Sequence, residues 1–475
     1  MKKLLLVACL IVCLFHTCAA AGPLEYDVVV VGGGGAGLVA ATAAAEQGSS
    51  VIVLEKMSYL GGNTIRSGGV INAVDPEPQK AQGIEDSTDL HFKHTYEGGD
   101  NKANPELVRT LVEGALPALQ RALDRGLKIY PEITTATGAL WPRTHRLVEP
   151  AGTGWIRVYS ESAAKAGVEI RKDTKVVSLL REEPLAGRVY GVKAVDKAGN
   201  ELEIHARRGV VMASGGFGAD VKLRMQHNPA LGPDTPTTNH PGATGEGIIM
   251  SQDIGAAVTG MDFIQLHPHG DPKLGDLTGR ASDFVQKYIY VNIEGKRFVN
   301  EAERRDVQVA GIMAQPETRM FIINDKNGVS DPNIFGDHLD DLLAADRVQQ
   351  GDTLAELAEK IGVPAAALEA TVARYNELVK QGKDVDFGRP ENTLQQTIET
   401  PPFYATPRVP TVHHTMGGLV INKEAQVIDR RGEVIPGLFA AGEVTGGIHG
   451  TNRLGGNAIT DINVFGWIAG TNAAK

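Results

Sequence analysis

The sequence predicts an α/β fold: a doubly wound, Rossmann-like nucleotide-binding domain interrupted by a second, inserted domain. Three observations predict it. An apolar run, a string of glycines and an alanine-rich helical stretch follow one another over residues 26–47. From about Asp262 the text becomes more charged and carries long helical patterns. At Val409 strand-like, glycine-rich text returns and continues to the C-terminus. The domain reading is therefore 25–261 plus 409–475 for the nucleotide-binding domain and 262–408 for the insertion.

The first 21 residues read as a secretory signal. Lys2 and Lys3 precede the apolar run Leu4 to Phe15, and Ala19, Ala20 and Ala21 supply the small residues of a cleavage site. The run is too short to span a bilayer. The expectation is a protein exported to a bacterial periplasm, without stable membrane insertion. Cys9, Cys13 and Cys18 are the chain's three cysteines and all lie in this segment, which leaves residues 22–475 without a thiol. Cys18 as a lipidation site stays open.

"YDVVVV", Tyr26 to Val31, reads as a buried parallel strand. Leu38 to Gln47 reads as a helix stopped by Gly48, and Val51 to Leu54 as the next strand. Asn104-Pro105 reads as an N-cap followed by proline in the first turn, opening a helix to about Arg125 with a kink at Pro117. Short strands are expected at Val168–Ile170, Val189–Val195 and Gly209–Ala213, and helices at Thr353–Ile361 and Pro364–Gln381. The net charge of −10 argues against nucleic acid as a partner. The 56 glycines suggest tight turns and close contact with a cofactor.

Gly32-Gly33-Gly34-Gly35-Ala36-Gly37 contains G-x-G-x-x-G between a strand and a helix. Glu55 ends the second strand, where an acid can hold a ribose hydroxyl. Glycines there let a pyrophosphate approach the N–H groups and positive dipole end of the helix. Two more segments favour FAD over NAD. "GGNTIRSGG", Gly61 to Gly69, is suited to a flavin edge, and "GLFAAGEVTGG" puts a second acid, Glu443, after a strand. Near the end, Arg453 stands among glycines from Ala440 to Gly470, where a cation could meet an anionic ligand.

These segments resemble a known family. "VVGGGGAGLVAA", "GGNTIRSGG", "MASGGFG", "GKRFVNEAERRD", "HHTMGG" and "AAGEVTGGIHGTNRLGGNAI" are similar, in order, to soluble periplasmic fumarate reductases. These are relatives of the fumarate reductase and succinate dehydrogenase flavoproteins. The resemblance implies that the insertion is an α+β capping domain over a Rossmann-like FAD-binding domain, with the active site between them. It implies hydride transfer from flavin N5 to a carbon–carbon double bond beside a carboxylate. It assigns His413 and Arg453 to the substrate carboxylate, Arg305 to proton donation and His267 to the far end of the substrate. Gly69, Arg280 and Gly456 join them as substrate contacts. The FAD contacts it implies are Gly32, Gly34, Ala36, Gly37, Glu55, Asn63, Thr64, Gly68, Gly69, Ala213, Glu246, His414, Glu443, Ala458 and Ile459. Asn63 stands where membrane-bound relatives attach FAD through histidine, so FAD is expected to be non-covalent. No metal is expected. The expected electron donor is a separate periplasmic multihaem cytochrome c.

One loop departs from the family. Counting back from Arg305, Arg280 takes the place of a threonine that holds the second carboxylate of fumarate. Ala281 and Phe284 replace the glutamate and arginine of the relay that reprotonates the acid. The substrate expected is therefore a 2-enoate such as acrylate, methacrylate, or an aryl acrylate such as urocanate or cinnamate, with fumarate itself left open. Asp276, Asp283, Tyr288 and Tyr290 are candidates for contacts or a new relay. By residue type alone other roles remain. Arg453 could bridge backbone carbonyls, His413 could be structural, and Arg305 could share a solvated face with Arg304. The alternative functions are a dehydrogenase of the 3-ketosteroid desaturase kind and a non-catalytic flavin electron carrier.

Overall fold

The computed structural model describes residues 22–475. The expected signal segment, residues 1–21, and with it all three cysteines, lies outside the described residues.

Leu24–Val31 forms the centre of an eight-stranded sheet, with Val28, Val29 and Val30 fully buried. Its neighbours are Val51–Leu54 on one side and Glu201–Met212 on the other, both parallel, in register Val28 to Val51 and Val28 to Gly209. Glu169–Arg171 and Val434–Ala440 extend the parallel ladder outward, and Gln426–Ile428 closes one edge antiparallel. Strand segments buried on both faces need continuous apolar runs, which is why 28–31, 51–54 and 209–212 lack alternation. The hairpin Thr174–Glu183 with Ala186–Asp196 pairs onto Glu201–Met212. The helix expected from Leu38 begins three residues earlier, at Gly35, and ends at Glu46. The helix at Pro105–Asp124 carries an Asn104 side-chain cap and runs through Pro117.

The C-terminal glycine-rich text contains a helix that the sequence reading did not assign, Asn457–Ala473. Its glycines lower helix propensity, but they serve packing: a Cβ at Gly470 would lie 2.0 Å from the Ala40 carbonyl oxygen. The two helices approach that closely only with glycine at the contact.

Residues 264–415 build a five-stranded sheet from Ile264–Gly270, Ile289–Val291, Met320–Asp325, Gln349–Gly351 and Phe403–Thr415. Helices Leu354–Ile361 and Ala365–Gln381 cover one face, where Leu357, Leu368 and Tyr375 pack with Ile289, Ile323 and Ala405. Phe403–Thr415 is one unbroken strand. It pairs with Met320–Asp325 through residues 403–408 and with Ile264–Gly270 through residues 409–415. The boundary expected at 408/409 thus falls inside a strand, which carries His413 and His414 to the nucleotide-binding side.

Candidate active site

The glycine string opens a cleft at the end of the central strands. Gly32, Gly34, Ala36, Glu55, Ala213 and Glu246 line it. The helix beginning at Gly35 has no side-chain cap and no acid in its first turn, so its leading amides and dipole face the cleft unopposed. Glu55 is organised by backbone: its carboxylate accepts from Gly33 N–H and Met57 N–H, each at 2.8 Å. Glu246 is paired with Lys56 and Lys175. Burial opposes its ionisation, but hydrogen bonds from the two lysines win and hold its carboxyl down at about 2. The Ser214 hydroxyl lines the cleft, buried and without a partner. These features fit a dinucleotide. One expected contact is corrected: Gly37 does not line the cleft. A Cβ there would lie 1.9 Å from the Gly32 carbonyl oxygen, so Gly37 lets the helix sit against the glycine turn.

Asn63, Thr64 and Glu443 line both this cleft and a second cavity. Gly68, Gly69, His414, Gly456, Ala458 and Ile459 also line the second cavity. Asn63 is fully engaged, donating to Asn239 at 2.7 Å and Glu443 at 3.0 Å and accepting from His240 N–H at 2.7 Å. Glu443 also accepts from Thr415 N–H at 3.0 Å, while burial pushes its carboxyl upward. Among the described residues the buried Nδ1 of His414 and Oδ1 of Asp461 have no partner, which suits a polar ring laid across them. Thus the residues expected to hold a flavin gather along one continuous channel, from sequence positions as distant as 63 and 443.

The same cavity gathers His267, Arg280, Arg305, His413 and Arg453. Arg305 is the first residue of the helix Arg305–Met313. Its Nε donates to the Thr137 carbonyl at 2.9 Å and its Nη1 to the Gln265 side-chain oxygen at 3.2 Å, leaving Nη2 without a hydrogen bond among the described residues. It is not part of a solvated pair with Arg304, being only 6% exposed. Arg453 does bridge backbone, from Nη1 to the Leu454 carbonyl at 3.0 Å, and its Nη2 reaches the same Gln265 oxygen at 3.1 Å. Its Nε is buried and unpartnered. Burial, then the charges of Arg453 and Arg280, push Arg305 well below the usual arginine range. Burial lowers Arg453 to about 10, against the pull of Glu443 and Asp461.

The histidines are neutral. Burial, and then Arg305, push both His267 and His413 well below their usual range. His267 Nδ1 accepts from the His269 N–H at 3.1 Å, so its proton sits on Nε2. His413 Nδ1 meets the Thr238 hydroxyl at 2.8 Å, and the two rings are edge to face at 4.9 Å. Cations with neutral donors around one cavity make a site for an anion.

Leu277, Phe284, Ile334 and Phe335 line the same cavity together with Arg280 and Asp283. Arg280 is already engaged. Its Nε donates to Asp283 at 3.0 Å, its Nη1 meets His269 Nδ1 at 3.2 Å, and its guanidinium lies 5.2 Å from the Phe335 ring centre. Asp283 also accepts from Ile334 N–H at 2.7 Å. Three expected candidates do not line the cavity. Asp276 turns away to Thr278 and Arg347. Tyr288 and Tyr290 stack on each other behind the cavity wall, and the Tyr290 hydroxyl joins His269 to Gln308. The sequence reading missed Gln265. The signal was its place two residues before His267 on one strand, which puts both side chains on one face.

The family described as an FAD binding domain matches residues 27–459. The chain is 37% identical to the NADH:acrylate oxidoreductase of Vibrio harveyi over 90% of its own length, and spans 48% of that relative. It is 38% identical to a cytochrome-type fumarate reductase of Shewanella frigidimarina, over 90% of the chain and 73% of the relative. An open form of a flavocytochrome c3 fumarate reductase superposes with a TM-score of 0.74 at 35% identity, covering 96% of this chain and 79% of that one.

Proposed function

The chain belongs to the fumarate reductase-like flavoproteins, with FAD as its cofactor, and from that premise we propose that it reduces the double bond of a monocarboxylic 2-enoate. FAD supplies the hydride. Arg453 and His413 anchor the substrate carboxylate, with the planar guanidinium suited to both oxygens. Arg305 delivers a proton to the α-carbon from its free Nη2. As the β-carbon is reduced, negative charge grows on the α-carbon and carboxylate. Fixed cations there favour the transition state over the ground state. Arginine can serve as an acid here because burial and two neighbouring cations weaken its hold on the proton.

The observation that carries the substrate choice is the buried pair Arg280–Asp283, with side chains 6% and 2% exposed. A second carboxylate bound at that end would lie beside the Asp283 carboxylate, which repels it. A neutral tail meets Phe284, Phe335, Leu277 and Ile334 instead. Acrylate, methacrylate, cinnamate and urocanate fit this description. Fumarate is the second reading, favoured by the Nη2 of Arg280, which makes no hydrogen bond among the described residues. A steroid-type dehydrogenase is disfavoured: that chemistry calls for tyrosines at the reacting carbons, whereas among the described residues five arginines and no tyrosine line the cavity.

We take the setting to be periplasmic, with a multihaem cytochrome c as donor. The likeness to the cytochrome-type Shewanella relative supports a cytochrome donor, as does the absence of cysteine from residues 22–475, which leaves no haem attachment motif there. Among the described residues no helix is long and apolar enough to cross a membrane. The test is steady-state reduction of fumarate, acrylate, methacrylate, urocanate and cinnamate with reduced methyl viologen. A monocarboxylic acid should lead fumarate in kcat/KM by more than tenfold, about 1.4 kcal/mol. Arg453→Met should abolish reduction of every acid. A clear lead for fumarate would overturn the substrate choice, and rapid turnover with NADH alone would overturn the donor.

A further inference from the structure

Gln265 sits between Arg305 and Arg453, 4% exposed. Its side-chain nitrogen donates to Asn452 Oδ1 at 2.7 Å and to the Arg453 carbonyl at 2.9 Å. Both of its N–H groups therefore have acceptors, and the oxygen is left to face the guanidinium groups. The flipped amide would aim N–H groups at two cations that only donate. The oxygen accepts from Arg305 Nη1 at 3.2 Å and Arg453 Nη2 at 3.1 Å.

We propose that Gln265 is a positioning residue for the reduction: a neutral acceptor, shared by Arg305 and Arg453, that fixes the distance between proton donor and carboxylate anchor without adding charge. This rests on the reading of those two arginines given above. The two guanidinium groups carry like charge and share one acceptor atom, so without it they would repel and move apart. A carboxylate in the same place would hold them as well or better. It would also neutralise them, strengthen Arg305's hold on its proton and compete for Arg453 with the substrate. An amide satisfies the donors and leaves both cations uncompensated until substrate arrives. The groups facing Arg305 fit this account. Arg453 and Arg280 weaken its hold on the proton, Tyr290 alone acts the other way, and His267 and His413 are neutral. In the step itself a proton leaves Nη2 for the α-carbon, the C–H bond forms, and the guanidine left neutral later takes a proton from solvent. The spacing set by Gln265 decides whether Nη2 faces the α-carbon while Arg453 holds the carboxylate one bond away.

The test compares FAD-loaded wild type with Gln265→Leu, Gln265→Glu and Arg305→Ala. The donor is reduced methyl viologen and the acceptor is the fastest acid of the five named above. A simple hydrogen-bond filler would be replaced by glutamate, which accepts from both arginines. On the present proposal Gln265→Glu loses at least thirtyfold in kcat, raises KM, and shows a larger solvent deuterium isotope effect as proton delivery becomes limiting. Gln265→Leu loses a similar factor in kcat with bound FAD unchanged. Should Gln265→Glu fail to hold FAD, Gln265→Leu and the milder Gln265→Asn decide. Asparagine keeps a neutral acceptor but withdraws it by one methylene, and an intermediate kcat is expected. Gln265→Glu within threefold of wild type, or Gln265→Leu within threefold, overturns the proposal. If Arg305→Ala also keeps its rate, the acid assignment beneath it fails too. An inactive Arg305→Ala beside an active Gln265→Glu confines the failure to Gln265.

Discussion

Asp283→Asn should turn the enzyme toward dicarboxylates. In the wild type Asp283 holds Arg280 at 3.0 Å with both side chains nearly buried. A second carboxylate docking on the free Nη2 of Arg280 would come to roughly 5 Å from Asp283, where two like charges cost about 3 kcal/mol at an effective dielectric constant near 20. Asparagine keeps one acceptor oxygen for Arg280 or for the Ile334 N–H and removes the charge. Allowing about half of that energy for relaxation and entering water leaves about 1.4 kcal/mol, a tenfold change. The ratio of kcat/KM for fumarate to that for methacrylate should therefore rise at least tenfold, measured with reduced methyl viologen. Stability should fall as well, because a buried cation without its partner costs up to about 3–5 kcal/mol. A thermal melt and the FAD absorbance establish that the variant is folded and loaded. A folded, FAD-loaded variant whose ratio moves by less than threefold would refute the view that Asp283 screens the distal end against a second carboxylate.

Arg305→Ala should lower kcat on the order of 10³-fold with FAD retained, and Arg305→Lys should recover only part of it, since lysine lacks the fork. Kinetics on the purified variants check this, and a near wild-type rate for Arg305→Ala would remove the acid assignment. FAD should leave the protein completely on acid precipitation, because the side chain at position 63 is an amide engaged with Asn239, Glu443 and His240. Yellow colour left in the pellet would contradict a non-covalent cofactor. Glu246 is held at about 2 in the folded chain against an ordinary 4.5. A depressed carboxyl contributes stability that is present above about 4.5 and is lost as the pH falls toward 2. Melting temperatures of wild type and Glu246→Gln should differ at pH 6 and converge over that window, and a constant difference would show that the lysine pairs do not stabilise the fold.

Much of the nucleotide site was legible in the sequence because its determinants are local. The strand Leu24–Val31, the glycine turn, the helix and Glu55 lie within about thirty residues, and their chemistry follows from order and spacing. The helices at Pro105–Asp124 and Ala365–Gln381 were legible for the same reason, through caps and periodicity. Asn457–Ala473 was not, since its glycines argue against a helix until the neighbouring helix shows why they are needed. The amide that ties the two arginines together was also beyond reach. Gln265, Arg305 and Arg453 come from a strand, a helix start and a C-terminal loop, and no local pattern links them. Likewise the sequence set Arg280 and Asp283 three residues apart, yet only the fold could say that they pair with each other while Asp276, Tyr288 and Tyr290 face elsewhere. Residue types and spacing determine which chemistry a chain can carry. Which donor meets which acceptor in a dry cavity is decided by packing, because there every partner must come from the folded protein itself or from its ligand.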